Sequence, residues 1–549
     1  MPHGSTNDRS PQASFADGVS VALANAQLQR ALSNATTKHK ESRDASLSVL
    51  GPEWERMRER AREIKEHTLA HLDHYLEEFA ANVERRGGSV FWANDAAEAN
   101  RYITSLAQSR GVRLAVKGKS MMTEEIELNS ALASAEVEAV ETDLGEYIVQ
   151  LAGERPSHIT APAIHKSRGE IASLFTDKLQ VSCADDTEQI TAIARRVLRE
   201  RFARAGMGIT GVNFAVAETG TIVLVENEGN IRMATTLPRV HVALMSIEKV
   251  IPRLEDLNVF LQVLPRAASG QKITSYVSFL TGTKRAPHEE GPEELHVVIL
   301  DNGRTEILGN AHLRESLNCI RCGACLNACP VYQKIGGHAY GWIYPGPIGA
   351  ILTPQLIGRE RAADLPFAST LCGACRDVCP VKIDIPGMLL QLRHEIKEPA
   401  SMVEPYAVPD AYAARAPAPQ SSDPARRQDS IHPRGFPSAG SGRGLGNRAE
   451  KLMFRIWAMT VKRASRYRLA ARLARLAQKL PGGKDGSRNS MWPLSRWTAT
   501  RDMKTLPARS FREQWAASGG RLHPRAASQR PQVDNAHSQA LLAGKNVDK

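Results

Sequence analysis

The stretch Cys319-Ile-Arg-Cys322-Gly-Ala-Cys325-Leu-Asn-Ala-Cys329-Pro330 has the spacing C-x2-C-x2-C-x3-C-P. Bacterial-type ferredoxins hold [4Fe–4S] clusters with this spacing, in which three thiolates bind one cluster and the fourth binds the other. Three cysteines separated by two residues each can wrap three corners of one cube on a tight loop. Zinc sites favour isolated C-x2-C pairs with tetrahedral closure. The motif therefore predicts iron–sulfur chemistry rather than a zinc site.

A second motif, Cys372-Gly-Ala-Cys375-Arg-Asp-Val-Cys379-Pro380, repeats only the last three cysteines of the first. Ser369 stands where its leading cysteine is expected. The crossover of the fourth cysteine predicts one cluster held by four thiolates and another held by three. The predicted ligands are Cys319, Cys322, Cys325 and Cys379 for the first cluster, and Cys329, Cys372 and Cys375 for the second.

The fourth corner of the second cluster has three possible solutions. A [4Fe–4S] cluster could take Ser369, water or a substrate as its last ligand. A [3Fe–4S] cluster needs only three thiolates, and His338 is a further candidate ligand. The eighth cysteine, Cys183, lies far upstream, and a lone cysteine is most often a small buried apolar residue.

The composition describes an ordinary folded protein of 549 residues, with 42% hydrophobic and 24% charged residues. No stretch approaches the roughly 20 apolar residues of a membrane span. The polar N-terminus has no apolar segment of the kind that secretory signals carry, so we expect a cytoplasmic protein. Clustered cysteines in such a chain favour metal binding over a disulfide framework.

The chain alternates β-branched apolar stretches with helix-like stretches, which predicts an α/β domain with a largely parallel sheet over about 87–305. A segment with eight prolines, 399–437, reads as a linker. The predicted organisation begins with a leader (1–50) that is loosely structured around one amphipathic segment, roughly Val19–Leu32. It continues with an α/β domain with N-terminal helices (51–305), a dicluster ferredoxin-type domain (306–398), a Pro-rich linker (399–447) and a basic helical tail (448–549).

The net charge of +12 divides unevenly along the chain. Residues 401–549 contain 27 Lys and Arg but 10 Asp and Glu, a balance of +17, whereas the rest is mildly acidic. The stretch Ala449–Leu480 combines this charge with a broken apolar face. Such a helix can lie on an anionic membrane, and a solvated face or docking on an acidic partner are equal alternatives. Nucleic-acid binding is not expected, because no binding module accompanies the charge.

Longer motifs resemble a known family. The segment GGHAYGWIYPGPIGAILTP at 336–354 and the segment PVKIDIPGMLLQLR at 380–393 are similar to those of the lactate utilization protein B family. Upstream, Lys117-Gly-Lys-Ser-Met-Met-Thr-Glu124, Asn213-Phe-Ala-Val-Ala-Glu218 and Glu226-Asn-Glu-Gly-Asn-Ile-Arg232 resemble the LUD domain. The resemblance covers about 16–398, with a weaker similarity at Trp492–Trp515, and nothing is transferred to the linker and tail.

This resemblance implies an iron–sulfur electron-transfer subunit of a bacterial complex that oxidises L-lactate to pyruvate. It implies a LUD domain of the NagB/RpiA/CoA-transferase type and an α-helical dicluster ferredoxin-like domain with two [4Fe–4S] clusters, whereas a largely disordered basic tail is predicted from composition alone. The implied partners are a cysteine-rich redox subunit and a second LUD-domain protein. The alternatives are a subunit of another 2-hydroxy-acid (glycolate-type) oxidase or of a heterodisulfide-reductase-like complex, and a non-catalytic iron–sulfur sensor.

Two polar groups of the α/β domain remain open. Lys117, Lys119 and Ser120 lie between a predicted strand and a helix, where they form either an anion site or a helix cap. Glu218 lies in a turn between two predicted strands, where an α/β fold tends to place ligands.

Overall fold

The computed structural model describes residues 14–286, 288–397, 452, 455–477, 513, 515 and 517. The chain divides into two compact units, Met1–Ala416 and Pro417–Lys549. The predicted linker and most of the predicted disordered tail lie outside the described residues. No described helix is both long enough and apolar enough to span a bilayer.

The first unit begins with helices and continues as an α/β domain. Its helices up to residue 269 are α1 (Phe15–Ala24), α2 (Ala26–Ser48), α3 (Pro52–Ala70), α4 (Leu72–Arg85), α5 (Ala96–Ser109), α6 (Met121–Glu125), α7 (Leu128–Ser134), α8 (Leu144–Ala152), α9 (Arg168–Leu179), α10 (Thr187–Arg204), α11 (Asn230–Thr236) and α12 (Leu257–Ser269). Its strands are β1 (Ser89–Ala93), β2 (Leu114–Lys117), β3 (Glu138–Glu141), β4 (Met207–Gly211), β5 (Phe214–Val216), β6 (Thr221–Glu226), β7 (Val240–Ser246), β8 (Val250–Ile251), β9 (Tyr276–Leu280) and β10 (Glu294–Leu300).

Six strands form a parallel sheet in the order β1-β10-β7-β4-β2-β3. Successive side chains of a strand point to opposite faces, and here each face is covered. Ala115 packs in a core with Ile103 of α5 and Leu132 of α7, whereas the next residue, Val116, packs in a core with Phe175 of α9. This architecture confirms the predicted α/β domain with a parallel sheet.

Four strands form a smaller mixed sheet in the order β8-β5-β6-β9. Strands β5 and β6 form an antiparallel hairpin, and β8 pairs with β5 in parallel. The hairpin turns at Gly220, whose φ of +66° places its α-carbon against the backbone of α4. The smaller sheet therefore fixes the N-terminal helices on the α/β domain.

The cysteine-rich segment follows β10 and is built from short helices: α13 (Arg304–Gly309), α14 (Ala324–Ala328), α15 (Tyr332–Ile335), α16 (Gly346–Leu356), α17 (Ala374–Asp377) and α18 (Ile385–Lys397). Its apolar side chains join those of the smaller sheet in one core, which contains Phe214, Val250, Ile320 and Leu389. The cysteine motifs are thus packed directly on the α/β domain.

The leader differs from the sequence-based expectation of loose structure around one segment. Ser14 and Asp17 form a capping box at the start of α1, and Leu32 of α2 is fully buried. The side-chain amide of Gln29 donates to the carbonyl of Lys334 in the cysteine-rich segment. Residues 15–48 are therefore two packed helices, because the apolar side of α2 is covered by α12 and α15.

In the second unit, the structure describes one helix of 14 residues, α19 (Ala464–Ala477). Its large apolar side chains that the structure describes, Tyr467, Leu469 and Leu473, are exposed. Arg466, Arg468 and Arg472 lie on the same helix.

Candidate iron–sulfur site

Four cysteines line one small cavity in the first unit: Cys319, Cys322, Cys325 and Cys379. Cys325 lies in α14, and Cys379 follows α17, which packs against α14. Apolar side chains, among them Ile348 and Ile383, complete the walls. Three of the four thiols are buried and Cys319 is half-buried. The fold thus brings together the four residues that the crossover pattern predicts for the first cluster.

Backbone N–H groups point at these sulfurs. The N–H of Arg321 donates to Cys319 Sγ at 3.4 Å, and the N–H of Ile383 donates to Cys379 Sγ at 3.4 Å. Arg321 and Gly323 have φ values of +61° and +75°, so the loop curls around its own thiols. Sulfur atoms that accept amide hydrogen bonds are typical of cysteines that hold iron–sulfur clusters, whose potential these bonds help to set.

The buried thiols resist ionisation as they stand. Burial raises the pKa of Cys322 and Cys325, and the neighbouring thiolates raise it further. Burial likewise raises the pKa of Cys379 to about 11. Four thiolates in one apolar cavity repel one another, so they need a group of positive charge to hold them. A soft metal centre such as an iron–sulfur cluster fits this donor set.

The other three motif cysteines form a second group. Cys329 and Cys375 are buried, and Cys372 is exposed. Burial raises the pKa of Cys375, and the charges on Cys329 and Cys372 raise it further. The hydroxyl of Thr370 and the N–H of Ala374 donate to Cys372 and lower its pKa. Cys375 also raises the pKa of Cys325, so the two groups are neighbours.

Ser369 stands in this second group as Cys319 stands in the first. The N–H of Leu371 donates to Ser369 Oγ at 3.1 Å, as the N–H of Arg321 donates to Cys319 Sγ two residues before it. Leu371 has a φ of +54°, close to the +61° of Arg321. The two motifs therefore share this hydrogen bond and a positive φ at the equivalent residue, and the serine hydroxyl takes the place of the thiol at the leading position.

The other predicted candidates lie elsewhere. His338 Nε2 is 2.7 Å from the carbonyl oxygen of Arg155, and its ring packs against His165, 4.4 Å away between ring centroids. These contacts direct its side chain toward the α/β domain. Cys183 is half-buried rather than buried and packs beside helices α8 to α10, separate from the other seven cysteines.

The structure also shows the contacts of the α/β-domain residues whose roles the sequence left undecided. Ser120 Oγ accepts from the N–H of Thr123 and caps α6. Lys117 is buried in ion pairs with Glu141 at 2.6 Å and Glu124 at 2.8 Å. The exposed Glu218 accepts from the N–H of Leu254. These three residues have structural partners, and of the open group only Lys119 retains a buried amine without a hydrogen bond in the described structure.

A buried ion-pair network joins the α/β domain to the first cysteine group. Arg321, which lies between Cys319 and Cys322, contacts Glu248 at 3.2 Å, and Glu248 also contacts Arg304 at 3.0 Å. Arg304 also forms an ion pair with Glu125, and Glu125 accepts a hydrogen bond from the hydroxyl of Tyr344 at 2.7 Å. No sequence motif marks these residues, because they are far apart in the chain and meet only in the fold.

Comparisons with known proteins agree with this architecture. Three family models match the chain: LUD domain over residues 76–300, 4Fe-4S dicluster domain over 315–383, and Lactate utilisation protein B, C-terminal, over 427–519. The third match includes much of the basic tail, well beyond the weaker similarity at Trp492–Trp515. The tail is therefore part of the family pattern.

Similar curated proteins carry one name. A lactate utilization protein B from Shouchella clausii is 48% identical over 387 residues, which is 70% of this chain and 81% of that protein. The protein of that name from Oceanobacillus iheyensis is 40% identical over 506 residues, or 92% and 96% of the two chains. The crystal structure of a DUF162 family protein from Deinococcus radiodurans aligns with 42% of this chain at 14% identity, with a TM-score of 0.23 that is too low for a structural argument. From the coverage and identity of these relatives, the chain belongs to the lactate utilization protein B family.

Proposed function

We propose that this chain is the iron–sulfur electron-transfer subunit of a complex that oxidises L-lactate to pyruvate. Its family and its dicluster domain support a role in lactate utilisation with iron–sulfur electron transfer. The observation that carries the proposal is the arrangement of seven cysteines as two neighbouring groups, each drawing one residue from the other motif. When bound there, two clusters would supply one-electron transfer.

The proposed ligands follow the two groups. Cys319, Cys322, Cys325 and Cys379 hold the first cluster, and Cys329, Cys372 and Cys375 hold the second. The buried first group excludes water, whereas the exposed Cys372 places the second group near the surface. Electrons would therefore enter or leave through the second group.

The fourth corner of the second cluster is assigned to Ser369. Its hydroxyl lies where Cys319 presents a thiol, and both atoms accept an N–H from two residues further along the chain. An alkoxide oxygen can ligate iron in the place of sulfur, which supports a [4Fe–4S] cluster. The contacts of His338 with Arg155 and His165 favour serine over this histidine.

Iron and sulfide analysis with EPR of the anaerobically purified chain tests the assignment. About eight irons per chain are expected with two [4Fe–4S] clusters, and about seven with a [3Fe–4S] cluster at the second site. Ser369→Ala should convert the second cluster to the trinuclear form, whose oxidised state is paramagnetic, and Ser369→Cys should keep eight irons with an altered spectrum. Ser134→Ala, at an exposed serine on α7, is the matched control. Unchanged iron content and spectra in Ser369→Ala would contradict ligation by this residue.

The proposed partners are a cysteine-rich redox subunit and a second LUD-domain protein. We expect L-lactate to reduce the clusters of the full-length chain only when both partners are present, as seen by visible absorbance and EPR. Reduction by glycolate but not by lactate would instead favour another 2-hydroxy-acid oxidase. Clusters that stay oxidised with either acid would favour a sensor.

The proposed location is the cytoplasm, with peripheral contact of the tail to the inner face of the membrane. Helix α19 carries exposed apolar residues beside several arginines, a combination that favours an anionic lipid surface. Replacing Arg466, Arg468 and Arg472 with Gln in the full-length chain should weaken sedimentation with anionic vesicles. The matched control replaces Arg195, Arg196 and Arg199, exposed on α10. Equal sedimentation of both variants and the parent chain would contradict the membrane role of α19.

The LUD domain is further proposed to have the fold of sugar-phosphate isomerases and CoA-transferases. The six-stranded parallel sheet with helices on both faces supports this relation.

A further inference from the structure

A cavity of about 540 Å³ lies between the carboxyl edge of the six-stranded sheet and the first cysteine motif. Lys119 follows β2, Val212 follows β4 and Lys249 follows β7, and all three line it. Ile320 and Arg321, which lie between Cys319 and Cys322, form the opposite wall. In α/β folds the carboxyl ends of parallel strands are where ligands bind. Its volume lies in the range of small-molecule sites.

Three cationic side chains line this cavity with incomplete partners. Arg321 has a side chain only 9% exposed, and its buried Nη1 has no hydrogen-bond partner among the described residues. Lys119 Nζ is also buried without one, and its nearest carboxylate oxygen, on Glu146, is 3.7 Å away. In the described part of the chain, Lys249 Nζ forms neither a hydrogen bond nor an ion pair. Buried donors without partners are costly, so Arg321 Nη1 and Lys119 Nζ point to a ligand that completes them, and the half-buried Lys249 lines the same cavity.

The carboxylates that line the cavity, Asp143, Glu226 and Glu228, form no ion pair with these cations in the described structure. Glu226 accepts from the N–H groups of Ile231 and Arg232 at 2.8 and 2.7 Å, and so caps α11 with both oxygens. Asp143 caps α8 by accepting from the N–H of Glu146, and Glu228 accepts from the N–H of Asn227. Burial raises the pKa of Glu146, the nearest carboxyl group to Lys119, to about 8. The carboxylates thus contact backbone N–H groups, and the cationic donors keep sites for a ligand.

Apolar side chains cover much of the remaining wall, including Leu224, Leu264 and Ile320. A cavity that combines cationic donors that lack hydrogen-bond partners with apolar walls suits an organic anion better than an inorganic one.

We propose that this cavity binds a short 2-hydroxy or 2-oxo carboxylate, with its carboxylate held by Lys249 and Arg321 and its carbon chain against the apolar wall. The choice of this acid class rests on the proposed function, whereas the presence of an anion site rests on the cations alone. Since Arg321 is bonded directly into the motif between Cys319 and Cys322, the bound anion lies beside the first cluster. A negative charge there makes reduction of that cluster less favourable.

The test uses the full-length, anaerobically purified chain with its clusters and without partner proteins. Equilibrium binding of L-lactate, pyruvate and inorganic phosphate is measured, followed by a redox titration of the first cluster with and without saturating pyruvate. We expect one site per chain for lactate or pyruvate, and a shift of the potential to a more negative value on binding.

Lys249→Gln should weaken binding roughly tenfold, as the loss of one charge-assisted contact does. Lys249→Arg should restore most of the affinity. Lys178→Gln, which replaces an exposed lysine on α9, is the matched control and should bind as the parent does. Iron content is measured for each variant, so that a lost cluster is distinguished from a lost anion site.

The absence of lactate and pyruvate binding, equal binding by Lys249→Gln and the parent, or binding of phosphate alone would overturn the proposal. Failure of lactate to reduce the clusters in the presence of the partners would overturn the proposed function instead. The two failures are separable because binding is measured on the chain alone.

Discussion

The guanidinium of Arg304 contacts both carboxylate oxygens of Glu125, with Nη1–Oε1 and Nη2–Oε2 distances of 2.8 and 2.7 Å. Both side chains are almost fully buried, at 1% and 0% exposure. Glu125 belongs to α6 of the α/β domain, and Arg304 begins α13, which leads into the cysteine motifs. This buried ion pair therefore connects the α/β domain to the cysteine-rich segment.

Loss of this ion pair should destabilise the protein strongly. Arg304→Met leaves the Glu125 carboxylate buried and unpaired, which typically costs about 3–5 kcal/mol. We expect a marked fall in the thermal unfolding midpoint of the anaerobic protein. Arg113→Met removes the exposed pair with Glu136 and should change stability by about 1 kcal/mol or less. Similar midpoints for the two variants would contradict a structural role for the buried pair.

The buried His241 should make stability depend on pH. Burial lowers its pKa to about 3, whereas the unfolded side chain titrates near 6.5. Below about pH 6.5 the unfolded chain therefore binds a proton that the folded chain does not, so stability falls as the pH decreases toward 3. The loss is about 1.4 kcal/mol per pH unit within that window, or about 2 kcal/mol between pH 6.5 and 5.

The check is the unfolding midpoint measured from pH 7 to 5. His241→Gln should show a shallower decline than the parent chain, with the decline due to other groups retained. His312→Gln, at an exposed position, should follow the parent. Parallel declines in all three proteins would argue against titration of His241 in this range.

Loss of a thiol from the first group should disrupt that cluster. Cys322→Ala is expected to lower iron by at least one atom per chain, because the three remaining thiolates hold at most a [3Fe–4S] cluster. Iron analysis, visible absorbance and EPR measure the change. Cys183→Ala should retain all the iron, since Cys183 lies apart from the seven motif cysteines. Full iron content in Cys322→Ala would exclude this residue as an essential ligand.

Alanine variants of two glycines at equivalent positions distinguish the effect of backbone strain from the effect of steric crowding. Gly323 and Gly373 both precede a short helix with positive φ, +75° and +86°. A methyl group on Gly323 would lie 3.2 Å from Cε1 of His158, whereas one on Gly373 would meet nothing within 4 Å. Each Ala variant bears about 1–2 kcal/mol of left-handed strain. Iron retention during dilution should therefore fall further in Gly323→Ala, and equal retention would exclude the contact with His158 as a cause.

Apolar patterning located most of the sheet. Seven apolar, β-branched stretches predict strands, and each overlaps one: Val90–Trp92, Val112–Val116, Val137–Val140, Val212–Val216, Ile222–Val225, Val240–Leu244 and His296–Leu300. Strands β4, β8 and β9 lie outside these stretches. Strand β4 is not predicted because its sequence, Met-Gly-Ile-Thr-Gly, has few strand-forming residues. Gly208 is required there by tertiary packing, since a Cβ atom would lie 1.8 Å from the carbonyl oxygen of Ala234. Local propensity contains no information about that contact.

The site divides in the same way. Cysteine spacing predicted both groups and the position of Ser369, because the residues of a metal-binding motif lie within a short stretch of chain. The Arg304–Glu125 ion pair could not be predicted from a local motif, because its residues are 179 positions apart in the chain. The cavity beside Arg321 could not be predicted for the same reason, since its cations come from separate loops that converge only at the sheet edge.

The crossing of the two motifs has a consequence for biosynthesis. A growing chain that has reached Ala328 already contains three of the four thiols of the first cavity, but the fourth, on Cys379, emerges only after the whole intervening segment has been translated. Neither proposed metal centre has its full set of cysteines on a nascent fragment that lacks the second motif. Completion of the proposed centres therefore waits until most of the first unit has been translated, and a truncation before Cys372 leaves both sets of ligands incomplete.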